Sequence, residues 1–337
     1  MTRSVEEIAG QDFTSPERFL REVAEPCQPL VLRGLVQSWP VVQAGERSPQ
    51  ALKEYLLPFA AGGQVEVFFG APQIAGKYFY NDDLQGFNFE RSRMKLAEAL
   101  EVMVSSLAQA GAPSGYVGSV PTEDFLPGLA AKNPMPLLGV RVSPRIWLGH
   151  AANVSCHHDT FDNLACVVAG VRRFTLFSPE LIGKLYVGPI DNTMAGPPVS
   201  LAAAGADDDR FPLFRSIKDQ ALIAELRPGD ALYLPKLWWH QVESTAAFNV
   251  LINYWWDAFS SGPDAPYTSL LLSMITIAER PLPERQAWRA FFDHYVFRSD
   301  AHPLAHLPAD RRGVLGPLQP DNYRRIRAQV MRLLRGC

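Results

Sequence analysis

The sequence lacks the features that mark membrane and secreted proteins. No uninterrupted apolar run is long enough to span a bilayer, and the first ten residues, MTRSVEEIAG, carry two glutamates where a signal peptide needs an apolar stretch. The four cysteines include no C-x-x-C pair, which excludes the usual zinc-ribbon and thiol-redox spacings. We therefore expect a cytoplasmic protein with reduced thiols and no membrane partner.

A large excess of charge of one sign is also missing. The 32 basic and 35 acidic side chains leave a net charge of −3, which gives no whole-protein field that would gather nucleic acid, so no nucleic-acid partner is expected. Hydrophobic residues at 47% and charged residues at 20% are ordinary for a folded protein. A length of 337 residues allows one large core with additions or two domains.

Helix and strand patterns are mixed in the first part of the chain. Ser15 followed by Pro16 is a typical helix start, and apolar residues recur at helical spacing from about 93 to 107. From about 137 to 256 the chain consists of short β-rich runs separated by Gly, Pro and Asp turns, which favours a barrel or a sandwich.

Helical patterns return after Asp257, at about 267–279, 284–292 and 323–334. We therefore predict a mainly β fold with flanking helices. Its first domain covers residues 1–256, with a β-rich core over 137–256, and a C-terminal helical region covers 257–337.

The segment NVSCHHDT, at 153–160, holds two histidines and an aspartate. Side chains on a strand alternate between its two faces, so His157 and Asp159 project to one side and His158 to the other. Two imidazoles and one carboxylate form the facial ligand set of non-haem Fe(II) oxygenases. His240, which follows the turn PGD at 228–230 and a short strand, is the candidate third ligand; alone, it is equally well explained as a structural histidine beside two tryptophans.

With these residues in place, the chain resembles the JmjC and cupin-like hydroxylase family, which includes the asparaginyl hydroxylase of hypoxia-inducible factor. The resemblance covers roughly residues 15–256 and depends on the order of several short motifs. These are PLVLRG at 29–34 followed by Trp39 and Pro40, His157-x-Asp159 with Asp162 and Asn163, GVRRFTLF at 170–177, RFPLF at 210–214, PGD at 228–230, WWH at 238–240 and NYW at 253–255.

The resemblance implies a double-stranded β-helix of the cupin type, with Fe(II) held by His157, Asp159 and His240 and with 2-oxoglutarate as the co-substrate bound to the iron. It assigns no catalytic side chain beyond these metal ligands. In relatives a lysine fifteen positions after the first ligand pairs with the distal carboxylate of 2-oxoglutarate, and here that position is Arg172. Arginine also suits a carboxylate. A surface-strand role fits Arg173 better, because neighbouring strand residues face opposite ways.

Further cofactor contacts are also implied by the resemblance. Tyr116 falls where the hydroxylases place a tyrosine that hydrogen-bonds the same carboxylate, and Asn163 and Asn253 match asparagines that line the pocket. Val154 departs from the family, because some relatives carry there a threonine that contacts 2-oxoglutarate; Ser155 is adjacent.

The leading hypothesis is an Fe(II)- and 2-oxoglutarate-dependent hydroxylase of protein side chains or small molecules. Retention of Asp159 argues against a halogenase, since related halogenases lack the carboxylate. Two alternatives stay open: a non-catalytic cupin-like protein that binds metal or a small acid, and a cupin dioxygenase that needs no 2-oxo acid.

The C-terminal segment carries an apolar stripe that needs burial. Its members are Tyr323, Ile326, Val330, Leu333 and Leu334, and most of the nearby arginines lie off it. Because related hydroxylases dimerise through C-terminal helices, we predict a homodimer. Packing of the stripe onto the chain's own barrel is the alternative.

Overall fold

A computed structural model of the chain describes residues 3–79, 81, 86–139, 142–190, 196, 198–204, 209–260, 262–298, 301–316 and 318–336. The chain divides into two compact units, Met1–Ala258 and Phe259–Cys337. Strands belong to the first unit, whereas the regular structure among the described residues of the second unit is helical.

The strands of the first unit join into one mixed sheet. They are β1 (Arg3–Ser4), β2 (Glu6–Ala9), β3 (Leu30–Arg33), β4 (Gln64–Gly70), β5 (Lys77–Tyr78), β6 (Glu90–Lys95), β7 (Ser114–Pro121), β8 (Pro144–His157), β9 (Asp162–Ala169), β10 (Arg172–Phe177), β11 (Leu222–Leu226), β12 (Ala231–Leu234) and β13 (Trp239–Trp256). The main path through the sheet is β2-β3-β12-β9-β13-β8-β7-β4-β6.

Helices flank this sheet in the first unit and make up the regular structure of the second. The first unit contains α1 (Pro16–Phe19), α2 (Pro40–Arg47), α3 (Pro49–Leu56), α4 (Leu96–Ser106), α5 (Thr122–Phe125), α6 (Leu129–Lys132), α7 (Leu201–Ala204) and α8 (Pro212–Arg215). The second contains α9 (Pro266–Ile277), α10 (Leu282–Phe292) and α11 (Pro320–Arg335). Within the described ranges, no helix has both the length and the apolarity to cross a membrane.

Strand β13 wraps the sheet around an interior. Along one edge it pairs with β8 for most of its length, whereas along the other edge it pairs first with β10 and then with β9. The change of partner coincides with a register irregularity between Ser244 and Phe248, and such irregularities bend a strand. This wrapping gives the double-stranded β-helix of the cupin fold, as the family resemblance implies.

The two faces of β9 show why this part of the sequence is almost continuously apolar. All eight residues of β9 are buried. Leu164, Cys166 and Val168 pack into the large cluster that includes the helices, whereas Ala165 and Val167 belong to the smaller cluster inside the β-helix. A strand covered on both faces loses the usual alternation of apolar and polar residues.

Several local predictions agree with the structure, and others need correction. Ser15 caps α1 by accepting a hydrogen bond from the Arg18 amide at 3.1 Å. Helix α4 begins only at Leu96, because residues 90–95 extend the sheet as β6. Helix α2 was not predicted, and the run from Trp239 onward is one strand of 18 residues rather than several short ones.

Candidate metal centre

A bulge in β8 brings the two candidate histidine ligands together. His157 pairs directly with His240 across β8 and β13, but the next pair is Val154 with Val242, so two residues of β8 stand opposite one residue of β13. This count describes a β-bulge, which re-aims side chains near active sites. The two imidazole rings lie with their centroids 4.2 Å apart.

Asp159 completes the group from outside the strand. Strand β8 ends at His157, so Asp159 lies in the following loop, where its backbone oxygen accepts a hydrogen bond from the Leu237 amide at 2.8 Å. One carboxylate oxygen of Asp159 is 3.8 Å from His240 Nε2, and one ligand atom from each of the three residues lies within 4.8 Å of the others. His158 points away, edge-on to the Trp239 ring.

Backbone contacts orient both imidazoles in the same way. Nδ1 of His157 lies 2.7 Å from the Ser155 carbonyl oxygen, and Nδ1 of His240 lies 3.0 Å from that of Trp238. Because a carbonyl oxygen only accepts, each Nδ1 carries the proton and each Nε2 keeps its lone pair for a metal. Burial, with the neighbouring His157, lowers the pKa of His240 to about 4, so this ring is neutral at neutral pH.

Two imidazoles and a carboxylate on one side of a site are the donor set that suits Fe(II) and leaves further coordination positions open. The three predicted residues therefore fit an iron site. The prediction that His157 and Asp159 share a side agrees with the structure, although the loop after β8, rather than a continued strand, carries the aspartate.

Arg172 is a buried cation on the inner face of β10. Its side chain is only 3% exposed, whereas Arg173 is exposed. Arg172, Phe174 and Leu176 share one face by strand alternation, and Leu176 pairs with His240. Arg172 therefore faces the same interior as His240, four residues or about 13 Å further along the strand.

This guanidinium has no acidic partner among the described residues. Its Nε is buried without a hydrogen-bond partner. Burial lowers the pKa of Arg172, and the Tyr116 hydroxyl is the group that opposes this shift. Burial likewise raises the pKa of Tyr116, with Arg172 opposing. The two predicted contacts of the distal carboxylate thus lie side by side.

The two predicted asparagines form part of a hydrogen-bonded chain across three strands. Trp147 Nε1 donates to Asn253 Oδ1 at 2.7 Å, and Asn253 Nδ2 donates to Asn163 Oδ1 at 3.0 Å. Asn163 and Asn253 are buried. No sequence motif indicates Trp147, and its one signal is its place in a β-rich run.

The neighbouring Ser155 does not supply the hydroxyl that is missing at Val154. Val154 packs against the apolar cluster inside the β-helix. The Ser155 hydroxyl is directed to the Tyr78 carbonyl oxygen, at 3.4 Å, and so is tied to β5. The wall beside the metal ligands is therefore apolar at the position where some relatives carry threonine.

Comparison with known proteins agrees with this geometry. The family model described as a cupin-like domain matches residues 16–262, which is more than half of the chain. The chain belongs to the cupin-like, JmjC-type family. Oxygenases of this family generally use Fe(II) and 2-oxoglutarate, and the His-Asp-His group described above fits iron binding.

Individual relatives are similar at modest identity. Jumonji C domain-containing protein 5 of Drosophila melanogaster is 27% identical over 256 residues, covering 74% of this chain and 60% of that protein. The human bifunctional peptidase and (3S)-lysyl hydroxylase JMJD7 is 27% identical over 274 residues, covering 72% and 81%. Lysine-specific demethylase JMJ31 of Arabidopsis thaliana is 32% identical over 117 residues, covering 34% and 21%. The matches span less than two thirds of the fly and plant proteins.

Replacing Asp159 by alanine tests the ligand set. The variant should fold like the wild type, because the side chain lies in a loop, but its affinity for Co(II), a spectroscopic substitute for Fe(II), should fall on the order of 100-fold or more. Titration followed by visible absorption, with circular dichroism for the fold, measures both. His158→Gln is the matched control and should keep metal binding. Wild-type affinity in Asp159→Ala would refute the assignment.

Proposed function

We propose that this chain is an Fe(II)- and 2-oxoglutarate-dependent hydroxylase that acts on protein side chains. The observation that carries the proposal is Arg172, a buried cation without an acidic partner among the described residues, on the same inner face as His240. An unpaired buried charge is costly, on the order of several kcal/mol. A dicarboxylate bound between this guanidinium and the metal removes that cost.

Each residue of the interior then has a defined role. His157, Asp159 and His240 would hold Fe(II), which together with 2-oxoglutarate supplies the oxidative chemistry. The Arg172 guanidinium and the Tyr116 hydroxyl would bind the distal carboxylate, since both can donate hydrogen bonds to it.

The rest of the interior orients these groups and keeps water away. The chain from Trp147 through Asn253 to Asn163 holds three strands in register beside the pocket. Apolar side chains such as Phe174, Leu176 and Val242 belong to the buried cluster inside the β-helix and would line the co-substrate site and exclude bulk solvent.

The relatives support a protein side chain as the substrate class. The human relative is named a (3S)-lysyl hydroxylase, and the plant relative a lysine-specific demethylase. Both names describe a reaction at lysine. We propose the same substrate class, a protein side chain, for this chain and name no particular substrate protein.

Succinate release tests the activity. Purified protein with Fe(II), ascorbate and 2-oxoglutarate should form succinate slowly alone and faster with a protein substrate, because substrate binding couples the reaction to hydroxylation. Mass spectrometry of candidate peptides would show a gain of one oxygen. A protein that binds metal and 2-oxoglutarate but never forms succinate would be a binding module. Peptide oxidation that does not require 2-oxoglutarate would indicate a cupin dioxygenase that needs iron but no 2-oxo acid.

Arg172 gives the sharpest test of co-substrate binding. Arg172→Met should raise the apparent KM for 2-oxoglutarate by at least two orders of magnitude, since removing one partner of a desolvated ion pair costs on the order of 3–5 kcal/mol. Arg172→Lys should be milder, because it keeps the charge but loses the planar fork. Arg173→Met, on the exposed face of the same strand, is the control and should behave like the wild type. Unchanged KM in Arg172→Met would place the acid elsewhere.

We also propose that the C-terminal unit associates with a second copy of itself. Helices α9, α10 and α11 contain no buried residue. Large apolar side chains are left exposed on them, among them Ile275 at 83% and Leu333 at 70%. A unit of this size is not expected to be stable without burying apolar surface. Val330, Leu333 and Leu334 of the stripe predicted on α11 are part of the exposed surface.

Light scattering decides the oligomeric state. The full chain should have the mass of a dimer, and a truncation before Leu318 should be a monomer because it removes α11. Leu333→Asp should weaken association in the intact chain, whereas Arg325→Asp, on the same helix and off the stripe, should not. A monomeric full chain would refute the dimer.

A further inference from the structure

An ion pair joins the two loops that carry metal ligands. One loop runs from Asp159 to Asp162 at the start of β9, and the other runs from Lys236 to His240 at the start of β13. The Lys236 ammonium lies 3.3 Å from Asp162 Oδ2. This pair therefore links the loops within three or four residues of Asp159 and His240.

The Asp162 carboxylate is buried and accepts hydrogen bonds at both of its oxygens. Its side chain is 1% exposed, and its Oδ1 accepts hydrogen bonds from the Tyr233 hydroxyl at 3.1 Å and the Lys236 amide at 3.4 Å. Its Oδ2 accepts from the Ala258 amide at 3.1 Å. A buried carboxylate held in this way is fixed in position, and it fixes the backbone of the Lys236 loop in turn.

Lys236 has a second anchor. Its ammonium also donates to Asp257 at 2.6 Å, directly after the end of β13. The lysine thus connects the start of β9, the loop before β13 and the end of β13. Three chain segments around the candidate metal centre meet at one side chain.

The loop held by Lys236 is under backbone strain. Leu237 adopts φ +68°, a left-handed conformation that is unfavourable for a leucine. Its amide donates to the Asp159 carbonyl oxygen at 2.8 Å, so this conformation directly contacts the loop of the carboxylate ligand. A strained residue persists only where its surroundings hold it, and the Lys236 contacts with Asp162 are part of those surroundings.

We propose that Asp162 and Lys236 are positioning residues for the metal centre: their ion pair holds the loop of Asp159 and the start of β13, which carries His240, at ligating distance. The inference rests on the metal site of the proposed function. Neither residue touches the metal. Their effect passes through the Leu237 amide to Asp159 and through 237–239 to His240.

Co(II) binding to the full chain tests this role, with affinity and ligand-field absorption measured well below the unfolding temperature of each variant. Lys236→Met should weaken Co(II) binding about 10- to 100-fold, the usual effect of losing a residue that orients ligands. It should also alter the visible bands, because the ligand geometry changes. Asp162→Asn should act in the same direction, and Lys236→Arg, which keeps the charge, should lie closer to the wild type than Lys236→Met.

Lys53→Met is the matched control. Lys53 is a lysine with 8% side-chain exposure, paired with Glu101 at 2.8 Å between two helices that carry none of the site residues. Its loss should lower the melting temperature without changing Co(II) affinity or spectrum. Because Lys236 is partly exposed, Lys236→Met provides a folded variant if Asp162→Asn does not fold.

Three results would overturn the proposal, and they are distinguishable. Folded Lys236→Met with wild-type Co(II) affinity and spectrum would remove the positioning role but leave the metal site intact. Equal loss of affinity in Lys53→Met would show an effect of general destabilisation. Wild-type protein that binds no Co(II) would overturn the metal site itself, and the positioning role with it.

Discussion

The antiparallel pairing of β8 with β13 is the constraint on which the site depends. It places His157 directly opposite His240 at one end and Tyr254 opposite Pro144 at the other. A slip of one residue would exchange His240 for Trp239, which packs in the cluster on the other side of the sheet. The bulge at Ser155 and Cys156 is part of this register, since it lets Val154 and His157 face the same interior.

Other cations of the first unit show why Arg172 is unusual. Lys53 pairs with Glu101. Arg33 pairs with both Glu7 and Asp230, and the Asp230 carboxylate also accepts hydrogen bonds from two backbone amides. Both cations are therefore neutralised by carboxylates of the same chain. Arg172 has the Tyr116 hydroxyl beside it and no carboxylate among the described residues. The difference is expected if the missing anion is a ligand.

The site is preorganised by the backbone as much as by side chains. Each histidine ligand is oriented by the carbonyl oxygen of the residue two positions earlier, Ser155 for His157 and Trp238 for His240. Both rings thus take the same tautomer without needing an acidic side chain. The strained turn at Leu237 ties the third ligand, Asp159, to the same backbone.

Local periodicity was enough to predict what depends on one strand or one helix. Strand alternation separated Arg172 from Arg173, and Ser15 predicted the start of α1. The H-x-D spacing also predicted that His157 and Asp159 share a side, although Asp159 lies in the loop after β8, where alternation does not apply. Periodicity assigns a residue to a face, but it does not say which residue stands opposite on another strand. The family resemblance named His240 as a ligand, but only the tertiary structure decided that it stands directly opposite His157, that Trp147 joins the asparagines, and that Lys236 meets Asp162. Those contacts depend on strand register, bulges and loop conformation, which long-range packing determines.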